Sequence, residues 1–300
     1  MTAKKWYGRD TQLTVRMGFT LFLLALLYAV FLAVLWSATG SGVLLVVAGA
    51  AFLLVQYFAS DKLVLFSSGA RLIGPQEEPE LRAIVERLAQ LADLPTPRLA
   101  IIETQAPNAF ATGRSPKHAV VAVTRGLLAM LEPAELASVL GHEMSHIKNR
   151  DMMVLTYASL LASVASFIVQ IGMWTGLGRS RGRGAGNLGA VFLVAAVVWA
   201  GSFVLLRALS RYREYAADRG SVLLTGSPST MRSALIKVSG SMQRIPTQDL
   251  RTAQAMSAFF IVPIKTKGTI GEFFQTHPTL EHRLARLEKL EQRMNAGQRG

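Results

Sequence analysis

The chain has 300 residues, 51% of them hydrophobic and only 17% charged, where an ordinary soluble domain carries roughly 25% charge. With a mean hydropathy of +0.33, this composition argues against a wholly soluble protein. The absence of cysteine excludes disulfides and Cys-ligated metal or iron–sulfur centres, so any metal must sit on His and carboxylates. Lys and Arg number 32 against 19 acidic residues, a net +13 that suits either a nucleic acid or a membrane surface.

Between Arg16 and Asp61 there is no charged residue, and the stretch divides at Gly40-Ser41-Gly42 into Met17 to Trp36 and Val43 to Phe58. A membrane span needs about 20 apolar residues, about 30 Å at 1.5 Å per residue. The first segment is long enough; the second is short unless Ala59 and Ser60 extend it. Lys4, Lys5 and Arg9 before the run also suit a cleaved signal peptide, but a secretory core usually has about 7 to 15 apolar residues, and the anchor is the better reading.

Further along, Leu81, Ile84, Val85, Leu88 and Leu91 repeat at helical spacing, which predicts an amphipathic helix over 77–94. Arg98 to Ile102 and His118 to Thr124 read as short strands bounded by Pro95, Pro97, Gly113 and Pro116. Pro133 opens a helix that runs through Ile147. Two more charge-free stretches follow, Met152 to Gly178 and Gly184 to Leu206, separated by Arg179-Ser180-Arg181-Gly182-Arg183. After Arg207 the chain reads as helical to about Leu224 and again over 229–242, irregular through Gly271, and helical from Leu280 to Arg293.

These readings give an α+β, mostly helical chain with a four-helix membrane portion. Residues 1–60 form a tail and an apolar hairpin, 152–206 a second hairpin, and 61–151 with 207–300 one water-facing domain. If all four segments span, 29 of the 32 basic residues share one side, which the positive-inside rule makes the cytoplasm. The arginines at 179, 181 and 183 then face the wrong way, which leaves room for a shallow second hairpin. A membrane-facing cytoplasmic surface accounts for most of the basic excess, and a nucleic-acid partner is not expected.

The chemistry centres on His142-Glu143-Met144-Ser145-His146. Two histidines at i and i+4 share a helix face and can both reach a zinc ion, which leaves Glu143 to act on a water at the metal. A chance match of this pattern in such a chain is of order one in several hundred. On a helical projection Leu136, Leu140, Met144 and Ile147 form one side, whereas His142 and His146 fall opposite it with Glu135, Ser138 and Asn149, off the core stripe. The competing reading is a pair of surface histidines.

A hydrolytic zinc usually takes three protein ligands and keeps a fourth position for water. His146 lies five residues before Asp151, where one apolar segment begins, and Glu214 seven residues after Arg207, where its neighbour has ended. If both helices continue unbroken, those offsets are about 8 and 11 Å from the same membrane edge, and a helical hairpin brings Glu214 to the histidines. Asp218, one turn on, is placed to accept from the outer nitrogen of a ligating histidine. Alternatively, Glu214 pairs with Arg207 or Arg211, and Asp218 with a neighbouring arginine.

Taken together, the N-terminal apolar hairpin, Asn108-Ala109-Phe110-Ala111-Thr112-Gly113, Gly141 to His146, Glu214 with Asp218, and Thr276-His277-Pro278 with Arg283 resemble the HtpX-type membrane zinc metalloproteases, relatives of the CAAX prenyl proteases. The resemblance covers nearly the whole chain. It implies a gluzincin-like fold, one Zn2+ held by His142, His146 and Glu214, and a cytoplasm-facing site in the bacterial inner membrane. It also implies a stress-response role in which unfolded or damaged membrane proteins are degraded.

Within that frame Glu143 serves as general base and then general acid, and His277 can donate to the oxyanion, unless it is merely packed at a Thr-His-Pro turn. Arg283 fixes Asp218, or only decorates the last helix. Asn108, with Ala109 beside it, holds the substrate backbone, a role that rests on the resemblance alone; otherwise Asn108 is a turn residue. His118 to Thr124 is the candidate edge strand to which an unfolded substrate would add as a further strand. A specific processing protease of the CAAX type and a non-enzymatic membrane assembly factor are the alternative functions.

Overall fold

The computed structural model describes residues 11–39, 62, 64–175, 185–242 and 278–297. Its elements are α1 (Thr11–Thr39), β1 (Arg71–Leu72), α2 (Pro79–Ala92), β2 (Arg98–Ile102), β3 (Ala109–Thr112), β4 (Val120–Thr124), α3 (Arg125–Met130), α4 (Pro133–Lys148), α5 (Asp151–Thr175), α6 (Ala185–Thr225), α7 (Pro228–Met242) and α8 (Leu280–Gly297). The architecture is mostly helical with one small mixed sheet.

The chain divides into two compact units, residues 1–53 with 155–212, and 54–154 with 213–300. In the first, three helical stretches are long and apolar enough to cross a membrane: Thr11–Ser37, Asp151–Gln170 and Gly189–Thr225. The expected partner of the first, Val43 to Phe58, lies outside the described residues, so three of the four expected spans are seen. Phe19, Phe22 and Trp36 are each 60–64% exposed on α1, a display of large apolar side chains that suits lipid and not water. Against this, Tyr28 turns inward, and its hydroxyl donates to the Ala158 carbonyl at 2.6 Å.

After Leu206 the helix continues unbroken, as the placement of Glu214 requires: α6 runs for 41 residues, about 60 Å at 1.5 Å per residue, twice a bilayer's hydrocarbon core. A single rod therefore carries both an apolar half and the Glu214 to Asp218 turn. On the other side the expected continuity fails, because α4 ends at Lys148 and Arg150 adopts a left-handed φ of 55° before α5 begins at Asp151.

In the second unit the sheet has the order β1-β2-β4-β3, with β2 and β4 parallel and β3 antiparallel to β4. Ala100, Ile102, Phe110, Val120 and Ala122 form its core, covered by Val64, Leu65 and Ala70. This order overturns the reading of His118 to Thr124 as an edge. β4 is an interior strand, every residue of which is buried, and among the described residues the edge strands are β1 and β3. The physical reason is in the residues themselves: Val-Val-Ala-Val is a continuous apolar run, the pattern of a strand covered on both faces.

The helix α4 lies against β3, α2 and α7. Its start is fixed by Pro133 and by Glu135, whose side chain accepts from the Glu132 amide at 3.0 Å, from the Ser233 hydroxyl at 2.6 Å and from Lys237 at 2.8 Å. The polar side of α4 is covered, against the expectation from its helical projection. Leu136, Val139, Leu140 and Met144 are buried, but so are Ser138, His142, Glu143 and Ser145 on the other faces. A second packed layer made by α6 and α7 covers the polar side: the Ser221 hydroxyl donates to the Ser138 carbonyl at 2.5 Å, and Ser138 and Thr230 share a hydroxyl bond of 2.6 Å.

Candidate metal centre

Two helices build the site. One turn of α4 places His142 and His146 with ring centroids 4.7 Å apart and nearly perpendicular planes. From α6, Glu214 reaches both: its carboxylate oxygens lie 3.5 Å from His142 Nε2 and 3.4 Å from His146 Nε2, and the two Nε2 atoms are 3.1 Å apart. Around an ion at about 2.0–2.1 Å, tetrahedral ligands are about 3.3 Å from one another, close to these three edges.

The outer nitrogens are engaged as well. His142 Nδ1 lies 3.0 Å from Asp218 Oδ1, and His146 Nδ1 lies 2.6 Å from Asp151 Oδ2. With a carboxylate against each Nδ1, both Nε2 atoms and the Glu214 carboxylate converge on one point, an arrangement suited to a cation. Burial disfavours the charged imidazolium of His142, but hydrogen bonds to Asp218 and Glu214 outweigh it and raise its pKa; for His146 burial is likewise outweighed by Glu214. The donor set, two imidazoles and a carboxylate within 4.8 Å of one another, therefore fits a divalent ion.

Beside these groups, Glu143 is buried, and its Oε2 accepts from the Ala111 amide of β3 at 2.8 Å. Burial pushes its pKa up, opposed by the nearby imidazoles. Arg283 of α8 closes the far side: its Nε donates to Asp218 Oδ2 at 2.9 Å, its Nη2 to Oδ1 at 2.5 Å, and its Nη1 lies 3.6 Å from Glu214.

The structure thus gathers His142, Glu143, His146, Glu214, Asp218 and Arg283. His277 lies outside the described residues. Ala109 begins β3, an edge strand among the described residues, and Asn108 precedes it, buried, with its backbone paired to Thr124 through N–H to Oγ1 at 2.8 Å and C=O to N–H at 3.0 Å. Asp151 went unremarked in the sequence except as the border of an apolar segment. A carboxylate set directly before 27 charge-free residues was the available signal.

Close approach of α4 and α6 depends on Gly220. A Cβ there would stand 2.2 Å from Ser145 Oγ and 2.7 Å from Ser145 Cβ, in the residue next to His146. Gly220→Ala is expected to cost about 1–3 kcal/mol through overpacking, read as a lowered thermal midpoint of the detergent-purified chain. Adding Ser145→Gly should return most of the loss, and an unchanged midpoint in the single variant would mean that the helices are not tightly apposed.

A buried constellation of two histidines and a glutamate, with a second glutamate beside it and a short sheet edge along it, defines a metallopeptidase. The chain matches peptidase family M48 over residues 75–291 and belongs to that family. It is 58% identical over 295 residues to "Protease HtpX homolog" of Moorella thermoacetica, covering 97% of this chain and 98% of that one. To "Protease HtpX homolog 2" of Methanosarcina acetivorans it is 50% identical over 293 residues, with 97% and 99% covered. Among solved structures, that of S. mikatae Ste24p shares the fold, with a TM-score of 0.55 and 18% identity over 93% of this chain and 67% of that one. The chain is accordingly a membrane metalloprotease of the HtpX type.

Proposed function

We propose that this protein is a zinc endopeptidase of the bacterial inner membrane that hydrolyses unfolded or damaged membrane proteins from the cytoplasmic side. The observation that carries the reading is the convergence of His142 Nε2, His146 Nε2 and a Glu214 oxygen, with Glu143 alongside. Two imidazoles and one carboxylate are a zinc hydrolase's donor set, three protein ligands with a fourth position left over. When bound, the ion would polarise the scissile carbonyl and make a nearby water more acidic.

The remaining work belongs to the chain itself. Glu143 accepts the proton of the attacking water and delivers it to the departing amine. Its carboxylate is aimed by the Ala111 N–H, so the edge of β3 runs past the reacting position. An extended peptide that pairs with β3 through main-chain hydrogen bonds is held without regard to its sequence, which suits unfolded substrates. Asn108 and Ala109 lie at the entry to that edge, and His277 is the proposed oxyanion donor. Asp218 and Arg283 keep His142 turned with Nε2 inward. The charge distribution, with all but three basic residues in the tail and the two water-facing stretches, favours the cytoplasm for this domain.

Metal analysis of the detergent-purified chain tests the assignment. About one zinc per chain is expected for the native protein, and chelation should stop cleavage of an unfolded reporter. Glu214→Ala should fall well below one zinc after the same purification. Full occupancy in that variant would remove Glu214 from the ligand set.

A further inference from the structure

Each histidine of the site turns its outer nitrogen to a buried aspartate, and each aspartate is gripped by a buried arginine. One set is His142, Asp218 and Arg283. The other is His146, Asp151 and Arg213, and we propose that Asp151, clamped by Arg213, is the positioning residue for His146: it holds the Nδ1 proton so that Nε2 stays bare and aimed at the ion. The proposal rests on the reading of His142, His146 and Glu214 as metal ligands.

Local structure makes the contact. After α4 ends, the Asn149 amide bonds back to Ser145 and the Arg150 amide to Ile147, and Arg150 takes its left-handed φ of 55°. For a residue with a side chain that conformation costs of order 1 kcal/mol, and it persists where the surroundings fix it. The turn reverses the chain so that Asp151, first residue of α5, faces back to His146 with Oδ2 at 2.6 Å from Nδ1. That is shorter than the 3.0 Å between His142 and Asp218.

Asp151 is 3% exposed and Arg213 4%, and a carboxylate so buried needs a charged partner. Arg213 Nη2 supplies it, in direct contact with Oδ1, which leaves Oδ2 for the histidine. The same Nη2 donates to the Asn149 carbonyl at 3.3 Å, so Arg213 grips the turn and the aspartate together. Arg213 also directly precedes Glu214 on α6. One helix segment therefore carries both a metal-facing carboxylate and the clamp behind the opposing imidazole.

The test uses full-length protein in detergent, with zinc affinity read by chelator competition and site geometry by the visible spectrum of the cobalt-substituted chain. Asp151→Ala is expected to weaken zinc binding about 10- to 100-fold and to shift the cobalt bands, as losing such a partner typically does. Asp151→Asn, which still accepts the Nδ1 proton, should lie between Asp151→Ala and the native chain, while the far-ultraviolet dichroism of all metal-free forms stays the same. Native affinity with an unshifted cobalt spectrum in Asp151→Ala overturns the proposal. So does loss of helix in the metal-free variants, which would assign the pair to folding. If the native chain itself fails to take up zinc, the underlying metal-site reading fails instead.

Discussion

Glu143→Gln is expected to lower the rate of hydrolysis of an unfolded protein by about 10²- to 10⁴-fold, the worth of a well-placed general base, while zinc content stays at the native level. Glutamine has the size of glutamate, and its carbonyl oxygen can still accept the Ala111 N–H that the carboxylate takes at 2.8 Å. What it cannot do is bind and release a proton. Glu143 is not one of the converging donors His142, His146 and Glu214, so the metal ligands are unchanged in the variant. The pH profile gives a second check. In the metal-free chain burial raises the pKa of Glu143 above the ordinary 4.5; in the zinc-loaded enzyme, where the cation opposes that rise, protonation of Glu143 should still shut cleavage down on the acid side. Cleavage by Glu143→Gln at the native rate would remove Glu143 from the proton-transfer role.

Much of this arrangement was legible in the sequence because it rests on local rules. Arg98 to Ile102 is a strand over just those residues, and the helix opened by Pro133 carries both histidines, since proline placement and apolar spacing act within a few residues. The approach of Glu214 to the histidines was also readable, because connectivity alone constrains two neighbouring rods. Pairing partners were not. Ala109 to Thr112 has four small or mixed residues with no alternation, and it becomes a strand only because β4 offers it an antiparallel neighbour. With β3 invisible to apolar spacing, His118 to Thr124 reads as an edge although β4 lies inside the sheet. Asp151 escaped for a related reason: its role depends on a left-handed turn at Arg150, a residue whose type gives no hint of positive φ.

Arg283→Met is the substitution from which the largest loss of stability is expected, about 3–5 kcal/mol, because it strands a buried carboxylate. Arg283 is 1% exposed, and it holds both oxygens of Asp218, itself 4% exposed. Burial works against the guanidinium charge, but the Asp218 carboxylate more than offsets this, and the arginine stays ionised at any accessible pH. Methionine fills much of the volume and supplies no charge, which leaves His142 as the remaining cationic partner of Asp218. Lysine should not rescue the loss, since one ammonium cannot reproduce the two parallel contacts of the fork. Adding Asp218→Asn should recover part of it by removing the stranded charge, although His142 would then be held by a neutral partner. Thermal unfolding of the metal-free chain in detergent separates these outcomes. A loss under about 1 kcal/mol in Arg283→Met would mean that water reaches the pair, as it does at a surface ion pair. A loss on the larger scale would make α8, the last described helix, the element that locks the carboxylate behind His142, and would explain why a residue 65 positions along the chain from Asp218 is buried beside it.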